Sequence, residues 1–543
     1  MKILLVVPKY TYTNLTKSPN YDYYFPIGLG YIVAVLKKEG YDIDCLNLNH
    51  FYGTIEELLN NQLNKIKYDF VLSGHMGIGY AMIEKIISIS KNHPSKPKII
   101  IGGPLITSEP ELMAQNLSFD FGVIGEGERT IIELLRCLEK KKDVNKVDGV
   151  VYKDENKKII ITKKREPIKD LDSLPFPDFE ALGLDEQLKN MSSEDVFFGY
   201  FDYPKVYQIL GSRGCPFQCT FCYHILGDNS YRTRSVKNII AEIRYAVKRF
   251  KINGVNLNDD MFSYDRERLK EFCYEMKKII KETPWEFKWA CSLSVNKINE
   301  ELLKLMKESG CLMIGWGLES YSPAVLKSMK KPITPEQIDN AIQLCLKLKI
   351  LNNGNFIFGD VAETKETAKE TMDYWKKNCR GQVKLFFIHP YPGSEIFKHC
   401  IQKGIIKDKL DYIKNKIQHT NILNMTNNMN DNEFNQLVRE VWKNSIKYSG
   451  YVPAIKIKKS EKEGCEDFTV KCPFCGIITK YKNCIKRNKF YYSHHIVCRN
   501  PECNMRFFFA SHLYTLTIKY YKQFDFLRKN YLYIRENLLK KKL

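Results

Sequence analysis

Short apolar runs separated by amphipathic stretches fill two long tracts of the chain, and this alternation constrains the fold more than any other feature. In the first tract the apolar runs are Lys2–Val7, Asp42–Leu46, Phe70–Ser73, Lys98–Ile101 and Phe121–Ile124. Between them, apolar residues at helical spacing cover Gly28–Glu39, Ile55–Lys65, Tyr80–Lys91 and Arg129–Lys140. Strands joined through helices become parallel and bury both faces, so residues 1–145 read as a doubly wound, Rossmann-like parallel sheet in an α/β multidomain chain. Ligands of such sheets lie beyond the carboxyl ends of the strands. Those ends are Pro8–Thr13, Ser73-Gly74-His75-Met76-Gly77, Gly102-Gly103-Pro104 and Gly125-Glu126-Gly127. Glycine at three of the four lets backbone approach a flat or bulky ligand closely.

Residues 146–200 read as a hairpin (Gly149–Tyr152 and Lys158–Thr162) followed by a linker, Leu174-Pro175-Phe176-Pro177, whose prolines oppose helix. The second tract, residues 201–395, has strand patterns at Val206–Gly211, Gly254–Asn258, Lys288–Ser292, Leu312–Gly317, Gly354–Gly359 and Lys384–His389. Six strand–helix units are fewer than the eight of a closed barrel, and predict a partial (β/α)6 barrel, open on one side. A helical segment follows over 396–460, then a cysteine-rich module over 465–510 and a basic aromatic tail over 511–543.

Directly after the first strand of the second tract stands Gly211-Ser212-Arg213-Gly214-Cys215-Pro216-Phe217-Gln218-Cys219-Thr220-Phe221-Cys222. Three thiolates within eight residues, on a loop with glycine and proline, converge on one soft centre. Iron–sulfur cubanes take four protein ligands as a rule. Three leave one iron open to a substrate-like molecule. The chain holds 17 cysteines, and no apolar run approaches the ~18 residues of a membrane helix. Both features suit a cytoplasmic protein that uses cysteine for metal or catalysis rather than for disulfides.

These residues resemble the radical S-adenosylmethionine (SAM) enzymes. The resemblance implies that Cys215, Cys219 and Cys222 hold a [4Fe–4S] cluster whose fourth iron chelates SAM. One electron then cleaves SAM to a 5′-deoxyadenosyl radical. Asn258-Asp259-Asp260 matches a family contact to SAM, as do Gly317, Glu319 and Ser320 of Gly315-Trp316-Gly317-Leu318-Glu319-Ser320. Gly359 of Asn355-Phe356-Ile357-Phe358-Gly359-Asp360 matches the adenine-side strand, and Pro390-Tyr391-Pro392-Gly393-Ser394 the terminal turn. The amino-terminal tract resembles the cobalamin-binding domain of the cobalamin-dependent members, through Phe25–Tyr31, Gly102-Gly103-Pro104 and Gly122–Glu128. By that resemblance Gly74, His75, Gly102, Gly103, Gly125, Glu126 and Gly127 contact cobalamin. The family's Asp-x-His-x-x-Gly does not follow the first strand, and His50-Phe51-Tyr52-Gly53 comes after the wrong one. Cobalt is therefore expected without a histidine ligand.

Cys472-Pro473-Phe474-Cys475 and Cys498-Arg499-Asn500-Pro501-Glu502-Cys503 pair two knuckles across a β-prone stretch. The spacing predicts a zinc ribbon, with an auxiliary iron–sulfur cluster as the alternative. Net charge is 84 − 63 = +21, and Lys471–Leu543 carries 16 basic against 3 acidic residues. The tail Tyr514–Lys541 either stacks on bases or packs as amphipathic helices. The expected reaction is cobalamin-dependent methylation of an unactivated carbon or a phosphinate, on a small-molecule or peptide substrate. An electron donor such as flavodoxin or ferredoxin is implied. The rivals are a radical rearrangement or cyclisation with the same cofactors, and a nucleic-acid-modifying enzyme guided by the ribbon and tail.

Overall fold

The computed structural model describes residues 1–10, 19–21, 23–193, 197–223, 231–417, 421–485 and 491–519. The run Ile-Leu-Leu-Val-Val after Lys2 has no polar residue, so as a strand it requires cover on both faces. It takes the middle of the first sheet. The strands are β1 (Lys2–Val7), β2 (Asp42–Asn47), β3 (Phe70–Gly74), β4 (Lys98–Gly102), β5 (Phe121–Val123), β6 (Val150–Lys153) and β7 (Ile159–Ile161), in the order β2-β1-β3-β4-β5-β6-β7. The first five are parallel, with Gly74 opposite Gly102 at their carboxyl ends. The hairpin β6–β7 extends the same sheet, because β6 pairs antiparallel with β5. It therefore belongs to the sheet and not to the linker.

The second tract forms β8 (Val206–Ile209), β9 (Ser212–Arg213), β10 (Arg232–Thr233), β11 (Gly254–Leu257), β12 (Lys288–Leu293), β13 (Cys311–Glu319), β14 (Leu351–Phe358) and β15 (Lys384–Phe387). β8 and β11 to β15 form one parallel sheet in the order β15-β14-β13-β12-β11-β8, while β9 and β10 form a separate antiparallel pair. The partial barrel of six strands is thus as the spacing predicts. β14 begins at Leu351, three residues before the expected start, because Asn352 and Asn353 are poor strand formers and hide it. Alternate residues of these strands are half-buried: Asn256, Ser292, Gly315, Gly317, Asn353, Asn355 and Lys384. The residues between them, among them Val255, Leu257, Trp289, Cys291, Trp316 and Phe356, are buried under the helices. The concave face is therefore polar and amide-rich, with two glycines at its centre.

After the helix Asp431–Tyr448 come β16 (Tyr451–Val452), β17 (Ala454–Lys459), β18 (Cys465–Lys471), β19 (Ile478–Ile485), β20 (Ser493–Val497) and β21 (Arg506–Ala510). They form two three-stranded sheets, β16-β21-β20 and β17-β18-β19, around Phe468, Tyr481, Ile496, Phe507 and Phe509. The β module thus starts at Tyr451, inside the segment expected to be helical; alternating Ile and Lys in Ala454–Lys459 is the strand signal. It docks where β14 and β15 begin. Asn504 donates to the Lys349 carbonyl, and Gln382 exchanges two hydrogen bonds with the Arg506 backbone. The helix His512–Lys519 closes the described chain; the rest of the expected tail helices lies outside the described residues. Among the described residues no helix is long and apolar enough to cross a membrane.

One buried ion pair locks the barrel's first helix. Arg234 Nη1 donates to Glu242 Oε2 at 2.5 Å, and Tyr207 donates to Glu242 Oε1 at 3.2 Å. Burial raises the Glu242 pKa, against the pull of Arg234 and Tyr207. Removing one member strands the other charge in the interior. Glu242→Ala is expected to cost about 3–5 kcal/mol in urea unfolding, more than Glu242→Gln, which keeps a partner for Tyr207.

Candidate functional site

The cysteine loop starts where β8 ends, at the carboxyl mouth of the barrel. Gly214, at φ +77°, turns the chain out of the two-residue ladder β9–β10 into the loop. Thr220 holds the loop's centre: its N–H donates to the Met329 carbonyl and its carbonyl accepts from Ile396 N–H. Cys219 is buried, while Cys215 and Cys222 are half-buried. Burial pushes the Cys219 thiol up to about 11 and Cys222 to about 12, which an iron centre would reverse by binding the thiolates. The expected ligands Cys215, Cys219 and Cys222 thus share one loop and face the barrel mouth.

Asp259, just after β11, is fully buried. Its Oδ1 accepts from the Ser212 hydroxyl at 2.6 Å, while Oδ2 has no partner. Burial raises its pKa to about 6 despite that bond. Asp260 beside it is exposed and acts electrostatically on Cys222. Glu319 lies at φ +61°, a left-handed backbone unusual for glutamate, and accepts from Lys331 Nζ at 2.8 Å. The pair lies directly over Gly317: a Cβ there would meet Glu319 Oε1 at 2.4 Å and Lys331 Nζ at 2.5 Å. Burial alone would lower the Lys331 pKa, but Glu319 and Cys219 outweigh it and the ammonium is held charged. Ser320 is bonded at 3.1 Å to Thr371 on the helix Lys365–Asn378 and accepts from Ser322 N–H, which braces the turn after β13. Gly359, at φ +98°, donates its N–H to Glu363, whose carboxyl burial pushes to about 8.

The edge of the first sheet is built from backbone. A Cβ on Gly74 would lie 3.0 Å from the Gly102 carbonyl, and Gly103, at φ +84°, lies against the His75 backbone. His75 keeps Nδ1 near the Met76 carbonyl at 3.1 Å and lies tilted against Tyr10, with ring centroids 5.0 Å apart; its buried Nε2 has no partner. Gly125 donates its N–H to Thr107. The residues expected to contact cobalamin, Gly74, His75, Gly102, Gly103, Gly125 and Gly127, lie along this glycine-rich edge. Glu126, also expected there, is engaged by neighbouring groups. Its carboxylate accepts from Arg213 and Arg232 at 3.0 Å and from Ile168 N–H at 2.7 Å. His50 is also occupied, 2.8 Å from the Tyr23 hydroxyl, and burial lowers its pKa to about 4.

Cys472, Cys475, Cys498 and Cys503 gather with all four sulfurs within 4.8 Å. Phe474 N–H donates to Cys472 Sγ at 3.4 Å, a contact that favours the thiolate form a metal takes. Four soft donors at that spacing fit one tetrahedral ion. The spare candidates His494 and His495 are elsewhere, stacked on Phe509 and Phe508. This tetrad sits at the amino ends of the barrel strands, opposite the cysteine loop.

Four residues at the mouth have no local sequence signal: Lys331, Arg213, Glu128 and Tyr223. Lysine is too common in this chain to mark Lys331, and the partners of the other three include residues of the other domain, distant in sequence. The Tyr223 ring, one residue after Cys222, lies over Gly393 beside Ser108 of the first domain.

A parallel sheet with a glycine edge, facing a partial barrel that carries three cysteines at its mouth, defines a two-cofactor radical enzyme. The sequence pattern of the radical SAM superfamily matches residues 209–374, and that of the B12 binding domain matches residues 18–135. An uncharacterised methyltransferase of Pyrococcus horikoshii is 30% identical over 417 residues, covering 75% of this chain and 84% of the relative. The chain belongs to the radical SAM enzymes that carry a B12-binding domain. Membership implies a [4Fe–4S] cluster, SAM and cobalamin. A cytidylyl-2-hydroxyethylphosphonate methyltransferase of Streptomyces wedmorensis is 25% identical over 428 residues, 70% of this chain and 79% of that one. The radical SAM methyltransferase TsrM of Kitasatospora setae shares the fold, with TM-score 0.60 and 17% identity over 74% of this chain and 76% of that chain.

Cys215→Ala, Cys219→Ala and Cys222→Ala should each lose reductive SAM cleavage and most reconstituted iron while keeping cobalt; 5′-deoxyadenosine at the wild-type rate in any one would exclude that ligand. His50→Ala and His75→Ala should each still bind cobalamin, and the Co(II) paramagnetic resonance spectrum should show no nitrogen splitting. Cys498→Ser should lose the tetrad's metal and lower the thermal midpoint with the iron cluster unchanged, because the two centres occupy opposite ends of the barrel.

Proposed function

We propose that this chain is a cobalamin-dependent radical SAM methyltransferase acting on an unactivated carbon or a phosphinate of a small, hydrogen-bonding molecule. The observation that carries the reading is the meeting of the two edges. Tyr223, next to Cys222, packs beside Thr107 and Ser108, in the helix Pro104–Ser108 that opens at the glycine edge of the first sheet. When bound, the cluster supplies the electron that opens SAM, and cobalamin supplies the methyl group.

The chain's own residues do the placing. Cys215, Cys219 and Cys222 would hold the cluster. Glu319, pinned by Lys331, and buried Asp259 offer carboxylates for the amino group of SAM. The glycine edge would hold cobalamin in contact range of the same mouth. The amides of Asn256, Asn258, Asn353 and Asn355 line the concave face and can orient a polar substrate, and the helices behind β11–β14 exclude water from below. The tetrad is assigned to zinc, because it is closed and lies away from the mouth. That position also disfavours nucleic-acid guidance through the ribbon. The 17 free cysteines suit a reducing cytoplasm, and a low-potential donor such as flavodoxin or ferredoxin would supply the electron.

The test is anaerobic purification and reconstitution, reading iron, sulfide, cobalt and zinc per chain. About four irons, one cobalt and one zinc are expected. With reductant and SAM, and no substrate, 5′-deoxyadenosine should form. Eight irons and no zinc would overturn the zinc assignment, and a lack of cobalt the methyltransferase reading.

A further inference from the structure

The first domain grips the cysteine loop at both ends. At the start, Arg213 stands two residues before Cys215 and is paired across the β9–β10 ladder with Arg232. Two guanidinium groups on facing positions repel, so the ladder requires compensation. It comes from the other domain. Glu126 accepts from Arg213 Nη1 and from Arg232 Nη1, each at 3.0 Å, and Glu128 accepts from Arg213 Nη2 at 2.5 Å. The Arg213 guanidinium also lies 5.0 Å over the Tyr31 ring. These groups are largely buried: 15% exposed for each arginine side chain, 11% for Glu126 and 6% for Glu128. Buried pairs are little screened by salt.

Glu126 is the N-cap residue of the helix Gly127–Glu139 and Glu128 lies in its first turn, directly after Gly125 of the glycine edge. At the other end of the loop, Tyr223 follows Cys222 and rests beside Thr107 and Ser108, which follow the Gly103 turn of the same edge. We propose that Glu126, Glu128, Arg213 and Arg232 are positioning residues that fix the distance and orientation between bound cobalamin and the cluster.

The two-against-two charge balance registers one cofactor edge to the other. Neutralising the carboxylates leaves the two guanidinium groups facing each other, and the start of the loop relaxes away from the first domain. Each cofactor stays in its own site, since the Glu126 carboxylate is already taken by Arg213, Arg232 and the Ile168 N–H, and that of Glu128 by Arg213. What changes is the relation between them.

The inference rests on the cobalamin and cluster assignments above. It is tested on full-length enzyme reconstituted with cluster and cobalamin, prepared as Co(II) with a reduced cluster. The readout is the spin–spin relaxation enhancement between the two centres, together with iron and cobalt content. Wild type should show the enhancement. Glu126→Gln/Glu128→Gln should keep wild-type iron and cobalt, while the enhancement falls by at least half. Glu128→Asp, which keeps the charge, should recover most of it, and Glu111→Gln, at an exposed position, should leave it unchanged. Should the double variant fail to fold, Glu128→Gln alone carries the same expectation. Normal content with an unchanged enhancement would overturn the proposal. Loss of cobalt with the enhancement would also overturn it, by showing that the carboxylates hold cobalamin itself. Absence of cobalt from wild type would instead overturn the cobalamin assignment, a result distinguishable before any variant is measured.

Discussion

Two cofactors acting on one substrate must face a common cavity, and in this protein they are carried by two separately folded sheets. Everything else in the architecture serves that constraint. One buried apolar cluster runs through both domains, and such packing is non-directional and sets area rather than register. Direction comes from the carboxylates of Glu126 and Glu128 against the guanidinium groups of Arg213 and Arg232. Charge-assisted bonds of this kind demand geometry, and half-satisfied they would be worse than an apolar contact. An ion network is therefore well suited to the one place where angle matters more than affinity.

The ends of the barrel divide the labour. Its carboxyl mouth gathers the cysteine loop, Asp259, the Glu319–Lys331 pair and the glycine edge of the first domain. Its amino end is covered by the β module, where Gln382 and Arg506 exchange backbone and side-chain bonds and Arg499 reaches Asp202 at 2.5 Å. The module has its own aromatic core, and its four cysteines bring two knuckles together, so that an ion bound there would tie them to each other. From the opposite end of the strands it supports the barrel without touching the reacting centre.

The concave face departs from the usual apolar interior of a closed barrel. Asn256 donates to Asn258 at 2.6 Å, and Asn258 to Gln208 at 2.9 Å, a relay that runs across two strands. Gly315 and Gly317 keep the centre open. At Gly317 the space is taken by the Glu319–Lys331 pair, so the glycine, the left-handed glutamate and the lysine form one unit. An alanine at Gly317 would push the ion pair off the mouth.

Local pattern alone determined the parallel sheets, the open barrel, the three-cysteine loop and the four-cysteine tetrad, because periodicity and ligand spacing are short-range properties of the chain. The strand β14 was hidden by asparagines and the β module's first strands by their lysines, since propensity and pattern yield to tertiary pairing. Glu126 could be read as a cobalamin contact because its glycine-flanked position is right. Only the fold shows its carboxylate turned to Arg213 and Arg232, residues about ninety and a hundred positions along the chain. Lys331, Tyr223 and the placement of the tetrad at the far end of the barrel were likewise decided in three dimensions. Partners distant in sequence leave no local periodicity, and a side chain's role is set by whichever charge or ring the folded chain brings to it.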